Sequence, residues 1–282
     1  MPCRLQGREH FVATSSNRTS STRSFAVVTG ASSGIGYELA KQFAQNGFDL
    51  LIAADSDRIH QAARDLEALG AQVEPVQVNL AEHDGTHQLL AAIHGAGREV
   101  DALALNAGVG VSGRFVETDL EDEMNMVRLN VLAVLHIAKY VIKDMVARGR
   151  GRVLITSSIA GTMPTPYLAV YGATKAFERS LAQSLREELK DTGVTITALM
   201  PGATETNFFH RAGAEDTKLG ASEKDDPAEV AKDGFEALMA GKDHVVAGSF
   251  KNKFQAAAGY ALPDPLIAKA HAAMAEPGAN KK

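Results

Sequence analysis

Short apolar runs alternate with longer stretches of helical periodicity along most of the 282-residue chain, and this alternation limits the folds open to it. The seven apolar runs lie at 25–28, 50–53, 73–78, 102–105, 153–155, 194–199 and 245–247. The helical stretches lie at 35–45, 57–69, 85–93, 120–146, 169–190 and 227–239. Strands that alternate with helices indicate right-handed βαβ crossovers. We therefore predict an α/β fold, a doubly wound parallel sheet of about seven strands with helices on both faces.

Composition and charge exclude several classes of function. A hydrophobic fraction of 45% and a charged fraction of 22% allow one domain with a sizeable core. The net charge of −5, without a basic stripe, argues against a nucleic-acid partner. Apolar stretches fall short of the roughly 18 residues that a membrane span needs, so we expect no membrane partner. Cys3 is the only cysteine, which fits the reducing cytoplasm, where we expect this protein.

The two ends of the chain differ from its centre. Residues 1–24 are rich in Ser, Thr and Arg, a composition shared by transit peptides, disordered extensions and sequence translated from an upstream start codon. We interpret 1–24 as a disordered extension, 25–262 as the catalytic domain and 263–282 as a tail. The alanines of the tail favour a short helix that covers the pocket or a neighbouring subunit, but a loose tail fits equally well.

A glycine-rich turn follows the first strand directly, with the sequence Thr-Gly-Ala-Ser-Ser-Gly-Ile-Gly at 29–36. Glycines let backbone N–H groups approach a pyrophosphate, and the next helix offers its positive N-terminus to the same anion. Tight strand–helix turns need glycine in any case, so the position after the first strand is what favours a dinucleotide. The predicted cofactor-binding residues of this turn are Gly30, Ser32, Ser33, Gly34, Ile35 and Gly36.

Tyr171 and Lys175 lie four residues apart in a predicted helix and therefore share one face. A tyrosine with a pKa of about 10 is a poor base at neutral pH, but a nearby cation lowers that pKa. The pair could then transfer the proton that accompanies hydride transfer. Taken alone, the same spacing is common on solvated helix faces.

These motifs occur in a characteristic order: the glycine turn, Asn106-Ala107-Gly108, Asn130, Ser157-Ser158, Tyr171-x-x-x-Lys175 and Pro201-Gly202. Together they resemble the short-chain dehydrogenase/reductase family, in its single-domain subclass, over about 25–247. The resemblance implies a Rossmann-type fold and an NAD(P)-dependent oxidoreductase. Such an enzyme moves a hydride between nicotinamide and an alcohol or carbonyl carbon, and this chemistry needs no metal.

The resemblance also implies roles for four catalytic residues. Tyr171 is the general acid/base, and Lys175 lowers its pKa and binds the nicotinamide ribose. Ser158, thirteen residues before the tyrosine, holds the substrate oxygen as charge develops there. Asn130 resembles the asparagine that kinks its helix and holds a water in a proton relay, although a polar packing role is the alternative.

Further cofactor contacts are implied after the later strands. Asn79 and Leu80 follow the third strand near the adenine. Asn106, Ala107 and Gly108 pass beneath the cofactor after the fourth. Four residues after the sixth strand complete the set: Pro201, Gly202, Thr204 and Thr206.

The choice between NAD and NADP depends on the end of the second strand. A carboxylate there can bind the ribose 2′-hydroxyl and repel a 2′-phosphate. Asp55 provides one, although Ala54 stands where relatives that use NAD usually carry their aspartate, and Asp55 could instead cap the next helix. We favour NAD(H), while Arg58 keeps NADP(H) open.

The expected substrate is an apolar alcohol or carbonyl compound. Six residues are expected to shape its pocket: Met163, Pro164, Tyr167, Phe208, Phe209 and His210. The stretch 204–226 resembles a mobile lid that closes over substrate. Relatives pair through helices equivalent to 120–146 and 169–190, which implies a homodimer or homotetramer. The alternatives are an NADPH-preferring carbonyl reductase and a non-catalytic dinucleotide sensor.

Overall fold

The computed structural model describes residues 23–280, so residues 1–22 of the predicted N-terminal extension lie outside the described part of the chain. The first strand begins at Ser24, one residue earlier than predicted. Arg23 precedes it and binds Asp49 through its Nε at 3.2 Å.

The core of the protein is one parallel sheet of seven strands. They are β1 (Ser24–Thr29), β2 (Phe48–Ala54), β3 (Val73–Gln77), β4 (Ala102–Leu105), β5 (Gly151–Thr156), β6 (Val194–Met200) and β7 (His244–Val246). Their spatial order is β3-β2-β1-β4-β5-β6-β7, with every neighbouring pair parallel. The predicted doubly wound sheet is confirmed. Because parallel strands are covered on both faces, β2 is apolar at all but one position and is buried along its whole length.

Ten α-helices surround the sheet in the described residues. They are α1 (Gly34–Gln45), α2 (Ile59–Glu67), α3 (His83–Gly95), α4 (Leu120–Val127), α5 (Val134–Ala147), α6 (Ala169–Glu188), α7 (Phe208–Arg211), α8 (Pro227–Met239), α9 (Phe250–Ala261) and α10 (Asp264–Ala275). Helices α1, α2 and α8 pack on one face of the sheet, while α3, α5 and α6 pack on the other. Successive residues of β1 alternate between the two cores, with Val27 in one and Val28 in the other.

The predicted helix 120–146 is interrupted. A π-helical turn at Arg128–Ala133 separates α4 from α5. Its buried polar residue is Asn130, which has no exposed surface. π-turns are rare and occur often at functional sites.

The C-terminal region contains more ordered structure than predicted. Helix α9 lies in a stretch for which no helix was predicted, and α10 lies inside the predicted tail. The tail is tied to the segment 204–226 by two backbone hydrogen bonds: Leu219 N–H donates to the Met274 carbonyl at 2.8 Å, and Asn280 N–H donates to the Asp216 carbonyl at 3.0 Å. The tail therefore contains a helix, and its His271 lines the pocket. No helix between residues 23 and 280 has the length and hydropathy that a membrane span requires.

Candidate active site

A cavity of about 250 Å³ opens at the carboxyl edge of the sheet, between the neighbouring strands β1 and β4, where the strand order reverses. Ligands of doubly wound folds bind at this kind of switch point. All eighteen residues predicted to bind the cofactor line this cavity: Gly30, Ser32, Ser33, Gly34, Ile35, Gly36, Asp55, Asn79, Leu80, Asn106, Ala107, Gly108, Tyr171, Lys175, Pro201, Gly202, Thr204 and Thr206. Local motifs from six regions of the sequence therefore meet at one place.

The glycine turn has the shape that a pyrophosphate requires. Gly30 and Gly34 have φ values of +71° and +57°, a backbone region that favours glycine. At Gly36 a Cβ atom would lie 2.2 Å from the Gly30 carbonyl oxygen, so this backbone conformation of the turn requires glycine at position 36. The side chain of Ser33 does not cap α1, which leaves the first N–H groups of the helix available to an anion. The turn fits a dinucleotide phosphate.

Thr29 connects the glycine turn to the next loop. Its Oγ1 accepts hydrogen bonds from the backbone N–H groups of Asn106 at 3.0 Å and Ala107 at 3.1 Å. The Asn106 side chain returns a hydrogen bond from Nδ2 to the Thr29 carbonyl at 3.2 Å. The ends of β1 and β4 are thereby held together beneath the cavity, as expected for a residue that braces the sheet.

The Tyr171 side chain is surrounded by groups that act on its ionisation. Burial raises the pKa of Tyr171, while the positive charge of Lys175 and a hydrogen bond with Ser158 oppose that rise. Lys175 Nζ lies 5.8 Å from the centroid of the Tyr171 ring. Ser158 Oγ accepts from the Ala160 N–H at 3.1 Å and donates to the Pro201 carbonyl at 3.2 Å. The tyrosine, serine and lysine therefore form one interacting group.

Lys175 is buried and has two protein partners. Its Nζ donates to the Thr156 carbonyl at 3.0 Å and lies 2.9 Å from a carboxylate oxygen of Glu178. Burial alone would lower the pKa of Lys175, but the charges of Glu178 and Tyr171 outweigh it, and the pKa is raised. Glu178 is 1% exposed, and burial raises its pKa to about 7 despite the nearby ammonium.

Glu178 was missed by sequence reasoning. Its only sequence signal is the i, i+3 spacing from Lys175, which is common on solvated helix surfaces. Burial of the pair, rather than its spacing, makes it part of the site.

Asn130 lies behind the cavity and does not line it. Its Oδ1 accepts from the Val109 N–H at 3.1 Å, and its Nδ2 donates to the Val109 carbonyl at 2.9 Å and to Thr174 Oγ1 at 3.0 Å. A Cβ on Gly108 would lie 3.3 Å from Asn130 Oδ1 and 3.2 Å from Lys175 Nζ. Asn130 therefore positions the loop that separates it from the lysine.

The substrate end of the cavity differs from the prediction at three residues. Met163, Phe208 and Phe209 line it, and the Phe208 ring lies 5.1 Å from the Tyr171 ring. Pro164, Tyr167 and His210 do not belong to the lining, so their prediction as pocket residues is wrong. They stand beside lining residues in the sequence but are absent from the lining itself. The backbone at Tyr167 is in the left-handed region, with a φ of +66°.

Two lining residues come from the C-terminal helices and were also missed. Gln255 on α9 and His271 on α10 reach the cavity, although they lie far from every motif in the sequence. No local pattern marks them, because their positions depend on how the C-terminal helices pack on the domain.

Histidines also approach one another outside the cavity. His83 and His87 are four residues apart, with ring centroids at 5.8 Å, and the His136 ring lies 4.7 Å from that of His87. Across residues 23–280, however, the acidic, histidine and cysteine side chains form no group of three or more arranged to hold a metal ion.

Fold and site together define an α/β oxidoreductase that binds a nicotinamide dinucleotide. The chain matches the short chain dehydrogenase family over residues 24–217. It belongs to the short-chain dehydrogenase/reductase family and is an NAD(P)-dependent oxidoreductase that acts on alcohol or carbonyl groups.

Similar proteins agree with this assignment. The chain is 30% identical to an NADP-dependent 3-hydroxy acid dehydrogenase of Salmonella typhi over 215 residues, which cover 75% of this chain and 86% of that protein. A short-chain dehydrogenase from Sphingobium yanoikuyae, solved with NADPH, has a TM-score of 0.72 and 31% identity, covering 79% of this chain and 87% of the other. An alcohol dehydrogenase from Comamonas testosteroni, specific for bulky-bulky ketones, has a TM-score of 0.70 and 28% identity, covering 79% and 85%.

Proposed function

We propose that this enzyme reduces apolar ketones or oxidises the matching alcohols, with Tyr171 as the general acid/base. The observation that carries the proposal is the group formed by the partly buried Tyr171 and the buried Ser158 and Lys175 at the edge of the dinucleotide cavity. Bound nicotinamide dinucleotide supplies or accepts the hydride. The protein's own side chains must then bind the substrate oxygen and move one proton.

Tyr171 donates that proton in the direction of reduction. Burial raises the pKa of Tyr171, so the phenol is protonated at neutral pH and can donate to a carbonyl oxygen. As the phenolate forms, the Lys175 ammonium stabilises it. In the direction of oxidation the phenol must first lose its proton, so oxidation should speed up as the pH rises.

Ser158 binds the substrate oxygen. Its hydroxyl donates to the Pro201 carbonyl at 3.2 Å, and a rotation about the Cβ–Oγ bond redirects this O–H donor into the cavity. The Ala160 N–H fixes the position of Oγ by donating to it. A donor aimed at the developing negative charge lowers the barrier by about 3 kcal/mol.

Lys175 is held by Thr156 and Glu178 rather than by solvent. This fixed position places Nζ next to Gly108, whose missing side chain leaves room there. We also propose a proton relay through Asn130. A Cβ atom on Gly108 would lie 3.2 Å from Lys175 Nζ and 3.3 Å from Asn130 Oδ1, so both groups lie close to the same point.

NAD(H) is the proposed cofactor, and the position of Asp55 supports this choice over NADP(H). Asp55 lines the cavity at the end of β2, whereas Arg58 is not part of the lining. A carboxylate there would bind the ribose 2′-hydroxyl and repel a 2′-phosphate. Of the similar proteins named above, one is NADP-dependent and one was solved with NADPH, so the preference for NAD(H) depends on Asp55 alone.

The proposal includes a homodimer or homotetramer in the cytoplasm. Apolar side chains stand exposed along one pair of helices and the turn between them: Leu120, Met124, Leu132, Leu135 and Tyr140. An exposed apolar stripe of this kind marks a protein interface. The cytoplasmic location is supported by the single cysteine of the sequence.

Hydride transfer by the purified protein tests the function. Absorbance of the reduced nicotinamide is followed with a panel of ketones, aldehydes and secondary alcohols, using NAD(H) and NADP(H). Tyr171→Phe should lower turnover by a factor on the order of 100 to 10,000 while cofactor binding is retained. Tyr260→Phe, at an exposed tyrosine of α9, is the matched control and should keep full turnover.

Two results would contradict the proposal. Turnover by Tyr171→Phe within a few-fold of the wild type would remove Tyr171 from the chemistry. Saturable dinucleotide binding without turnover of any compound in the panel would favour the sensor.

A further inference from the structure

A second cavity, of about 470 Å³, lies between the segment 219–225 and the two C-terminal helices. Much of its wall is apolar, formed by Leu219, Phe254, Ala258, Leu262, Leu266 and Ile267. This volume lies within the range of small-molecule sites, which are mostly apolar with a few polar groups.

The second cavity adjoins the candidate active site. Six residues line both: Ile159, Met163, Ala203, Leu219, Gln255 and His271. Ile159 follows Ser158 directly in the short 3₁₀-helix Ile159–Thr162, and Met163 ends that helix. A substrate arm that starts at Ser158 and passes these shared residues would enter the second cavity.

Polar groups at the shared wall come from the C-terminal helices. His271 Nδ1 is buried and has no protein hydrogen-bond partner within residues 23–280. Burial lowers the pKa of His271, opposed by a hydrogen bond with the Pro166 backbone, so this side chain is uncharged at neutral pH and suits an uncharged ligand. Gln255 offers both a donor and an acceptor on the same wall.

The charged residues of the second cavity do not favour a charged ligand. Its lining holds two acids, Glu223 and Asp225, and two lysines, Lys224 and Lys251. Lys224 is already paired with Glu205 at 3.5 Å, and Asp225 accepts hydrogen bonds from the Ser249 N–H and the Asn252 side chain. The apolar side chains of the wall, rather than its charges, therefore determine which ligand the second cavity prefers.

We infer that the substrate carries an extended, uncharged apolar arm, which passes Gln255 and His271 and lies in the second cavity. The reacting ketone or alcohol stays at Ser158 and Tyr171, so this inference rests on the proposed function. The C-terminal helices thereby form the specificity wall of the enzyme.

Chain length provides the kinetic test. A series of methyl ketones from four to ten carbons is reduced by the wild type and by two variants, one in each of the C-terminal helices α9 and α10. Each methylene buried in the cavity should raise kcat/KM by about twofold to fourfold, so the ten-carbon ketone should exceed the four-carbon ketone by about 60-fold or more. Ala258→Trp, which fills the second cavity, should reduce this ratio to below about fivefold.

Ala257→Trp is the matched control. Ala257 is the neighbouring residue on the same helix, is exposed and lines neither cavity, so this variant should keep the wild-type ratio. Leu266→Glu is the second variant, in case tryptophan disturbs folding. Leu266 is half exposed, and a carboxylate there should lower the ratio by making the wall polar. A ratio unchanged in both Ala258→Trp and Leu266→Glu would overturn the inference.

A binding experiment separates this inference from the proposed function. Calorimetry measures the affinity of secondary alcohols from four to ten carbons for the Tyr171→Phe protein saturated with NAD or NADP. Affinity should rise with chain length in Tyr171→Phe, and this rise should be lost when Ala258→Trp is added. Turnover of the short ketone without any chain-length effect would overturn the inference and leave the proposed function standing. Chain-length-dependent binding without turnover would support the second cavity and contradict the proposed function.

Discussion

Replacing Glu178 by glutamine should remove a pH-dependent loss of stability that burial of this carboxyl builds into the fold. Burial raises the pKa of Glu178 from its usual 4.5 to about 7. A carboxyl with a raised pKa binds its proton more tightly in the folded than in the unfolded state. Its stabilising contribution is therefore present below pH 4.5 and is lost as the pH rises to about 7. The rise corresponds to a loss of about 3 kcal/mol in the free energy of unfolding.

Glutamine keeps the shape of the side chain and an acceptor for Lys175 but cannot ionise. At pH 5 wild-type Glu178 is protonated in the folded state, so both proteins place a neutral group beside the ammonium and should have similar stability. At pH 8 the wild type buries a carboxylate, whose desolvation exceeds the gain from the ion pair. The variant should then be the more stable protein by about 3 kcal/mol, or about 6 to 10 °C in Tm.

Thermal unfolding followed by circular dichroism at pH 5, 6, 7 and 8 measures this difference. Other titrating groups contribute to both proteins, so the difference in Tm between variant and wild type isolates Glu178. Glu187→Gln on the same helix is the control. Glu187 is exposed and paired with Lys190 at the surface, so its replacement should give a small difference that does not change with pH.

The same variant has a second readout in catalysis. Burial is the main cause that raises the pKa of Tyr171, and the Glu178 carboxylate adds to it. Glu178→Gln should therefore move the pH at which alcohol oxidation sets in to a lower value.

The stability measurement decides the reasoning about Glu178. A wild type at least as stable as the variant at pH 8 would refute it, because the ion pair with Lys175 would then outweigh the cost of burial.

Two further variants test the cofactor cavity. Gly36→Ala should weaken NADH and NADPH binding at least about tenfold in a fluorescence titration, because its Cβ would meet the Gly30 carbonyl at 2.2 Å; Gly95→Ala, which has open space around it, should bind normally. Asp55→Ala should shift the ratio of kcat/KM for NAD over NADP towards NADP by about tenfold or more, while Asp57→Ala, outside the cavity lining, should not. Normal binding by Gly36→Ala, or an unchanged ratio in Asp55→Ala, would show that these contacts do not control the cofactor.

Local patterns in the sequence were sufficient for the sheet and for the glycine turn, whereas most of the other cofactor contacts were implied by the resemblance to the short-chain dehydrogenase/reductase family. All seven predicted runs became strands, because a buried parallel strand must be apolar at nearly every position and such runs are visible directly. The glycine turn was equally visible, since its close approaches and its left-handed backbone require glycine at set positions. Tyr171 and Lys175 share a helix face because four residues make about one turn.

Only the tertiary structure decided which polar and aromatic residues enter the site. Glu178 differs from a surface glutamate by burial alone. The π-turn that breaks the helix at Asn130 arises from hydrogen bonds to the distant loop at Val109, so helical periodicity could not reveal it. Likewise, nothing near Tyr167 in the sequence shows that it turns away from the cavity.

The C-terminal helices show the same division most clearly. Alanine-rich composition indicated a helix in the tail, since that preference is local. Composition did not place His271 and Met163 around the same cavities, because that arrangement joins segments more than a hundred residues apart and depends on packing between whole helices. The motifs assigned to the chemistry are therefore short and local in the sequence, while the proposed substrate wall is determined by long-range packing.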